Sequence, residues 1–418
     1  MGEQTTDFDI ILVGGGMTGA TLALALAQAG FRLAVIDEAP LETRLALVFD
    51  GRASAIAFAN FRQWRALGVG EALAAQAQVM TDILITDGPN PGAARAGSLP
   101  VFLHFDADEI ADRTDGDPLG WMVENRHIRA VLNAALAETD ATLISPATLA
   151  DVTPAKTFTT ITLGDSRRLT ARLVIGADGK ASRVRKVAGI GVRGWAYPQA
   201  GVVATLQLDT PHNGVAHQYF LPGGPLAILP LTENRASLVW SEDKGRAEAL
   251  AAAAPEAFEA HLARRFGDML GRPRLIGPRY AYPLRLQIAE SLVGARTALV
   301  GDAGHVIHPI AGQGLNLGLK DTAALAQVLI EAAQIGEDFG SDLVLERYAA
   351  WRRFDGASLA LTTDLLMRLF STDAPPLRAA RDLGLAIVNR LPAFRRVFMQ
   401  EAGGAMGDLP KLLKGERL

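Results

Sequence analysis

Three glycines, Gly14, Gly16 and Gly19, lie between two short apolar runs and constrain this chain more than any other feature. Asp9 to Val13 reads as a central parallel strand. The turn Gly14-Gly-Gly-Met17-Thr18-Gly19 follows at once, and then a helix of small residues from Ala20 to Ala29, closed by Gly30. Leu33 to Ile36 is the next strand, with Asp37 and Glu38 at its end. In such a βαβ unit Gly14 makes the turn and Gly16 lets a pyrophosphate approach the backbone. Gly19 allows close helix–strand packing, and Asp37 can accept ribose hydroxyls. The pattern predicts a dinucleotide-binding α/β domain and leaves NAD and FAD both open.

A chain of 418 residues is too long for one hydrophobic core, so more than one domain is expected. Hydrophobic residues make up 49% and charged residues 21%, a globular balance. The formal net charge of −4, with no helix-turn-helix or zinc-finger pattern, argues against nucleic acid as a partner. Without cysteine there is no disulfide, thiolate nucleophile or iron–sulfur ligand. The polar start leads directly into a strand, which predicts no secretory leader and a cytoplasmic location. No uncharged apolar run approaches the ~18 residues of a membrane span.

A second strand-turn-helix corner lies far downstream. Thr297 to Val300 reads as a buried strand, Asp302 stands at its end, and Pro309, Gly312 and Gly314 precede a helix from Leu315 to Ala333. Free N–H groups at such a helix start can hold an anion or an electron-rich ring oxygen. Between the two corners, Gly51-Arg52 is read as opening an amphipathic helix to Leu67, with 38–51 irregular. Asn125, Arg126 and Arg129 stand where a strand beginning at Trp121 turns into a helix. A strand over 169–175 ends in Asp178-Gly179 before a Ser-capped helix, a second loop aimed at a dinucleotide. Strand patterns dominate from Gly191 to Leu286, broken by one helical stretch over 246–270, and suggest an inserted antiparallel sheet that carries a substrate. The expected organisation is a nucleotide domain in three pieces (1–78, 119–190 and 287–340). The substrate domain is in two pieces (79–118 and 191–286), and a helical region follows over 341–418.

The motifs together carry a resemblance. Gly14-x-Gly-x-x-Gly19 with Asp37, Gly176-Ala-Asp-Gly179, and Gly301-Asp302-Ala-x-His305 with His308-Pro-x-x-Gly-Gln-Gly-Leu-Asn316 resemble the three fingerprints of class A flavin-dependent aromatic hydroxylases. Asp50-Gly-Arg-Ala-Ser-Ala55, Val123-Glu-Asn-Arg126 and Gly224-Pro-Leu-Ala-Ile-Leu-Pro-Leu231 are similar to the ubiquinone-biosynthesis branch. The resemblance spans about residues 8–355. It implies the p-hydroxybenzoate-hydroxylase fold: a Rossmann-type FAD-binding domain, an inserted antiparallel substrate sheet and a C-terminal helical segment. FAD would be the cofactor and NAD(P)H a transient co-substrate. Gly14, Gly16, Met17, Thr18 and Gly19 would hold the pyrophosphate, with Asp37 and Glu38 at the adenosine ribose. Arg52 would sit beside the pyrophosphate and flavin, with Asn125 and Arg126 near the cofactor's middle. Asp178 and Gly179 match a motif linked to both nucleotides. Gly301 and Asp302 would bind the ribityl chain, Pro309 would line the reaction chamber, and Gly312, Gly314, Leu315 and Asn316 would hold the pyrimidine edge. Arg52 and Pro309 are the candidates for a catalytic role. Gly304 and Lys180 depart from the family's usual Ala and Arg.

No side chain activates O2, so ring hydroxylation needs the flavin. The expected substrate is a prenylated phenol of ubiquinone biosynthesis. A soluble aromatic metabolite is the alternative, and a non-catalytic flavin-bearing scaffold in a biosynthetic complex is a third reading. His305 and His308 with Asp302 have a metal-like spacing, but they cross a turn rather than a helix face, so no metal is expected and His305 reads as structural. The C-terminal stretch 360–418 has basic amphipathic faces. These suit a cap on the core or an oligomer contact, and secondarily a peripheral contact with the inner membrane or a biosynthetic complex.

Overall fold

The computed structural model describes residues 6–87, 101–109, 118–221, 223–266, 271–307, 313–353, 403–404 and 407–418. The chain opens with β1 (Phe8–Val13), α1 (Met17–Gln28) and β2 (Leu33–Ile36), the βαβ unit expected from the glycines. Next come α2 (Leu41–Leu45), β3 (Ala53–Ala57), α3 (Phe58–Ala66), α4 (Gly70–Ala74), β4 (Ala77–Met80), β5 (Asp82–Asp87) and β6 (Val101–Asp106). After these stand β7 (Gly120–Glu124), α5 (Asn125–Ala137), β8 (Thr142–Ile144), β9 (Leu149–Pro154), β10 (Thr159–Leu163), β11 (Arg168–Gly176) and α6 (Arg183–Val187). The middle of the chain gives β12 (Val192–Gln207), β13 (Val215–Leu221), β14 (Gly224–Leu231), β15 (Arg235–Asp243), α7 (Lys244–Ala252), α8 (Pro255–Phe266) and β16 (Arg274–Ala289). Last are β17 (Val293–Gly294), β18 (Thr297–Leu299), β19 (His305–Val306), α9 (Gln313–Gln334), α10 (342–353) and α11 (Lys411–Lys414).

The first sheet runs β17-β18-β11-β1-β2-β8, with β10 and β9 added beside β11. Its centre is parallel: β1 pairs with β2 and β11, and β11 pairs with β18. Burial on both faces explains the unbroken apolar run of β1, where Ile10, Ile11 and Leu12 have no exposure at all. Ile10 and Leu12 join a core with α1, α5 and α9, while Ile11 and Val13 pack against β9, β10 and α6. Each such side chain contributes roughly 1.5–3 kcal/mol. The C-terminal ends of β1, β11 and β18 therefore lie side by side, and the glycine turns at their ends meet in space.

The second sheet runs β19-β16-β12-β15-β14-β13-β5-β6. One face is sealed by α7 and α8 over Leu206, Leu238, Trp240, Phe258 and Leu262. The other face looks toward the glycine turns. Most pairs are antiparallel as expected, but β13 and β5 run parallel. A small third sheet, β3-β7-β4, joins the two.

Four local expectations need correction. The helix expected from Gly51 to Leu67 begins only at Phe58. Ala53 to Ala57 are a strand paired with Gly120 to Glu124, because backbone pairing outweighs the helix preference of alanine. The helical stretch over 246–270 is two helices separated before Pro255. The irregular 38–51 contains α2, started by Pro40. Strand β9 was not expected, and it pairs with β10. The helical expectations for 354–402, the region carrying most of the basic amphipathic pattern, lie outside the described residues, as do His308, Pro309 and Gly312.

Candidate active site

The first glycine turn is built as its sequence requires. Gly14 has φ +105°, and a Cβ there would stand 2.4 Å from the Ala177 carbonyl oxygen. A Cβ on Gly19 would stand 1.8 Å from the Gly14 carbonyl oxygen, so only glycine lets α1 start this close to β1. The Asp37 carboxylate accepts the Gly15 N–H, and its second oxygen accepts the Ala39 N–H at 2.7 Å.

Two cavities meet at Gly16 and Ala177. The larger, of about 490 Å³, is bounded by Met17, Thr18, Arg52, Asn125, Gly179, Asp302, Gly314 and Leu315 on one side. Gly201, Val203, Ala227, Leu229, Val239 and Leu284, from the open face of the second sheet, form the other side. The smaller, of about 320 Å³, is bounded by Asp37, Glu38, Asp178 and Arg183. An elongated groove therefore runs from Asp37 across the glycine turn to Asp302 and Gly314. Its far end is closed by an apolar wall.

Among the described residues, a Cβ built on Gly16 or on Gly314 meets no atom within 4 Å beyond its chain neighbours and its own helix. The fold does not require glycine at these two cavity-lining positions. An extended phosphate-linked ligand lying against the backbone does, and on this ground the residues fit a dinucleotide such as FAD.

Arg52 lies at the cavity edge, held by Asp50 through contacts of 2.7 and 3.0 Å. Burial lowers the affinity of Arg52 for its proton, but the Asp50 carboxylate outweighs this and the guanidinium stays charged. Asn125 is fixed alongside: its N–H donates to the Arg52 carbonyl at 2.9 Å and its side-chain oxygen accepts from Ser54 at 2.7 Å. Arg126 does not join them. It pairs with buried Glu124 at 2.8 Å and donates to the Leu47 carbonyl, away from the cavity lining. Asp178 caps α6 by accepting from Arg183 and Val184 backbone N–H groups, and Gly179 beside it has φ +77°.

At the second corner Asp302 opens into the cavity. The surrounding protein raises the pKa of its carboxyl, against the opposing pull of His305 and Lys180. Gly301 packs on Thr18, where a Cβ would stand 3.1 Å from the threonine methyl. Asn316 is 3% exposed and ties α9 to β3: its side-chain oxygen accepts from Ala57 N–H and Asn60, and its amide donates to the Ala55 carbonyl. Its side chain is thereby committed to the framework, so the ligand would meet its backbone.

Two features escaped the sequence reading. Arg44, 4% exposed, packs against the Gly15 turn with its Nε unpartnered. No motif marks a lone arginine in a short helix. The other is Asp321, a fully buried carboxylate beneath Gly301, 2.6 Å from the His305 ring and paired with Arg352 at 2.8 Å. His305 is thus structural, as its turn position suggested.

An α/β fold whose groove crosses a glycine turn and ends at an apolar sheet defines a dinucleotide-binding flavoprotein. Residues 7–356 match the family model described as FAD binding domain, and the chain belongs to that family. Ubiquinone hydroxylase UbiL of Rhodospirillum rubrum is 42% identical over 411 residues, covering 97% of this chain and 92% of that protein. The 3-demethoxyubiquinol 3-hydroxylase of Escherichia coli is 37% identical, covering 97% of this chain and 100% of the relative. Among solved structures, the p-nitrophenol 4-monooxygenase of Pseudomonas putida superposes with a TM-score of 0.78 at 20% identity, covering 98% of this chain and 99% of that one.

Proposed function

We propose that the protein is an FAD-dependent monooxygenase that hydroxylates the ring of a prenylated phenol in ubiquinone biosynthesis, with NAD(P)H and O2 as co-substrates. The observation that carries this is the groove: a phosphate-sized opening at Gly16 leading to a chamber with one polar and one apolar wall. Relatives at 42% and 37% identity bear ubiquinone-hydroxylase names. Bound FAD, reduced by NAD(P)H, would supply the chemistry of O2 activation and oxygen transfer.

The chain's own residues supply placement. Gly14, Gly16 and Gly19 with the start of α1 would hold the pyrophosphate, and Asp37 and Glu38 the adenosine ribose. Asp302 would bind the ribityl chain. The start of α9 at Gly314 and Leu315 would face the ring edge, where its N–H groups favour added negative charge. Arg52 would sit across the chamber as a fixed cation. Val203, Ala227, Leu229, Val239 and Leu284 would seat the phenol and exclude water, which keeps oxygen transfer from being lost to hydrogen peroxide. In this reading the nucleotide domain is assembled from 1–78, 119–190 and 287–340, and the substrate domain from 79–118 and 191–286. No described helix is long and apolar enough to cross a membrane, so a lipid-borne phenol would be reached from the membrane surface.

The test is incubation of the purified yellow protein with NADH or NADPH, O2 and a series of prenylphenols, followed by mass spectrometry. The expected product is one oxygen heavier than the substrate. NAD(P)H consumption that yields only hydrogen peroxide with every prenylphenol would refute the substrate assignment.

A further inference from the structure

A buried charge cluster centred on Asp321 lies beneath the chamber, and none of its members is among the residues that line it. Asp321 sits two turns into α9 with no solvent exposure, where an isolated carboxylate would be costly. Two donors and an imidazole from separate parts of the chain meet it. The Gly301 N–H donates to Oδ2 at 2.9 Å, the His305 ring approaches the same oxygen at 2.6 Å, and Arg352 Nε donates to Oδ1 at 2.8 Å. Burial raises the pKa of this carboxyl, but His305 and Arg352 outweigh burial and hold it below the ordinary range, so it is an anion. Arg352 is itself 3% exposed, and one turn before it on α10 Tyr348 donates to the Leu299 carbonyl at 2.7 Å.

The partners of this carboxylate are not spread at random. Leu299, Gly301 and His305 frame Asp302, the polar group at the far end of the groove. Arg185, also buried, reaches the same turn from α6 and donates to the Ala303 carbonyl. A buried ion cluster is weak evidence for stability, since apolar residues of similar volume often do as well. Its location points to another use. Charges here are screened by protein rather than water, so they act on whatever occupies the groove.

We infer that Asp321 is a positioning residue for the flavin site: it pins the Gly301–Asp302 turn from beneath and, with Arg352, sets the electrostatic potential at the bound flavin. This rests on the proposal that the groove holds FAD, but not on the identity of the phenol. Reduction makes a flavin more negative. Removing the Asp321 anion should therefore favour the reduced form, and removing the Arg352 cation should disfavour it.

The experiment is the two-electron midpoint potential of protein-bound FAD, measured by dye equilibration in the parent, Asp321→Asn and Arg352→Gln. A tenfold change in the preference for reduced over oxidised flavin is about 30 mV. Asp321→Asn is expected to raise the midpoint by about that much, and Arg352→Gln to lower it. A merely structural cluster would loosen the site in both variants and move both the same way; shifts of the same sign, or none, overturn the inference. Should Asp321→Asn fail to fold, Arg352→Lys, which keeps the charge, is measured in its place: Arg352→Gln must lower the midpoint and Arg352→Lys leave it near the parent value; equal shifts in the two, or no shift in Arg352→Gln, overturn the inference. A normal set of shifts with no hydroxylated prenylphenol would sink the substrate reading and leave this one standing.

Discussion

The two glycine corners of the first sheet solve the same geometric problem in different ways. At the end of β1 the turn is defined by missing atoms: Gly14 and Gly19 touch backbone, and Gly16 faces open groove. At the end of β18 the turn is defined by added ones, since a buried carboxylate, an imidazole and a guanidinium hold it from behind. A phosphate needs room and N–H groups, so bare backbone suffices. A reactive ring needs a floor whose charge and position do not drift, and such a floor is preorganised by fixed dipoles and charges. The difference separates a corner that grips from a corner that tunes.

Four substitutions test that separation, from the most to the least severe. Gly19→Val should leave no folded flavoprotein. Its Cβ alone would lie 1.8 Å from a backbone oxygen, beyond the ~1–3 kcal/mol of ordinary overpacking, and a soluble yellow protein would contradict the packing described. Asp321→Ala should cost roughly 3–5 kcal/mol in denaturant unfolding, because the buried Arg352 cation loses its anion. Since the folded carboxyl lies below its ordinary range, the stability that Asp321 contributes is present above that range and lost as pH falls through the folded value. The parent should therefore lose stability on acidification more steeply than the Ala variant. An identical acid profile would argue against an ionised Asp321.

Gly16→Ala should leave the apoprotein as stable as the parent but weaken FAD about tenfold or more, roughly 1.4 kcal/mol, by equilibrium dialysis. Among the described residues the new methyl meets no atom beyond its chain neighbours, so any loss reports the ligand's own space. Undiminished FAD affinity would break the comparison at its gripping corner. Ser182→Ala removes the cap that accepts the Arg185 N–H at 3.0 Å and should cost about 1 kcal/mol of stability, with flavin retention nearly unchanged.

The gripping corner was legible in the sequence because its information is local. Strand, glycines, helix and acid fall within about thirty residues, and each glycine has a steric reason. The apolar sheet opposite was legible through alternation. The tuning corner was legible only in part. Asp302, Gly314 and Leu315 lie in a motif, but Asp321 and Arg352 join across 31 residues and a helix turn that no spacing rule covers. His305 was correctly placed as scaffolding, but without its partners. Strand β3 was missed for a related reason: alanine and serine carry no strand signal, and only pairing with Gly120 to Glu124 decides their state. Arg126 sits beside Asn125 in sequence, yet the helix start turns it toward Glu124, so adjacency in the motif did not mean adjacency in the site.

The parallel pairing at the centre of the first sheet has a consequence for how the chain comes into being. Asp7, at the foot of β1, bonds to Thr170, 163 residues later, and β18 is later still. A ribosome that has finished the Gly14–Gly19 turn has made the grip but not the neighbour that holds it flat. Pairings of such long sequence separation form slowly, and strand edges stay open while they wait. The groove can close only after β11, β18 and α9 have emerged, so the first-made part of the site is among the last to become functional. Truncation between the end of β2 and the start of α9 should leave a chain that carries the nucleotide fingerprint but holds no flavin.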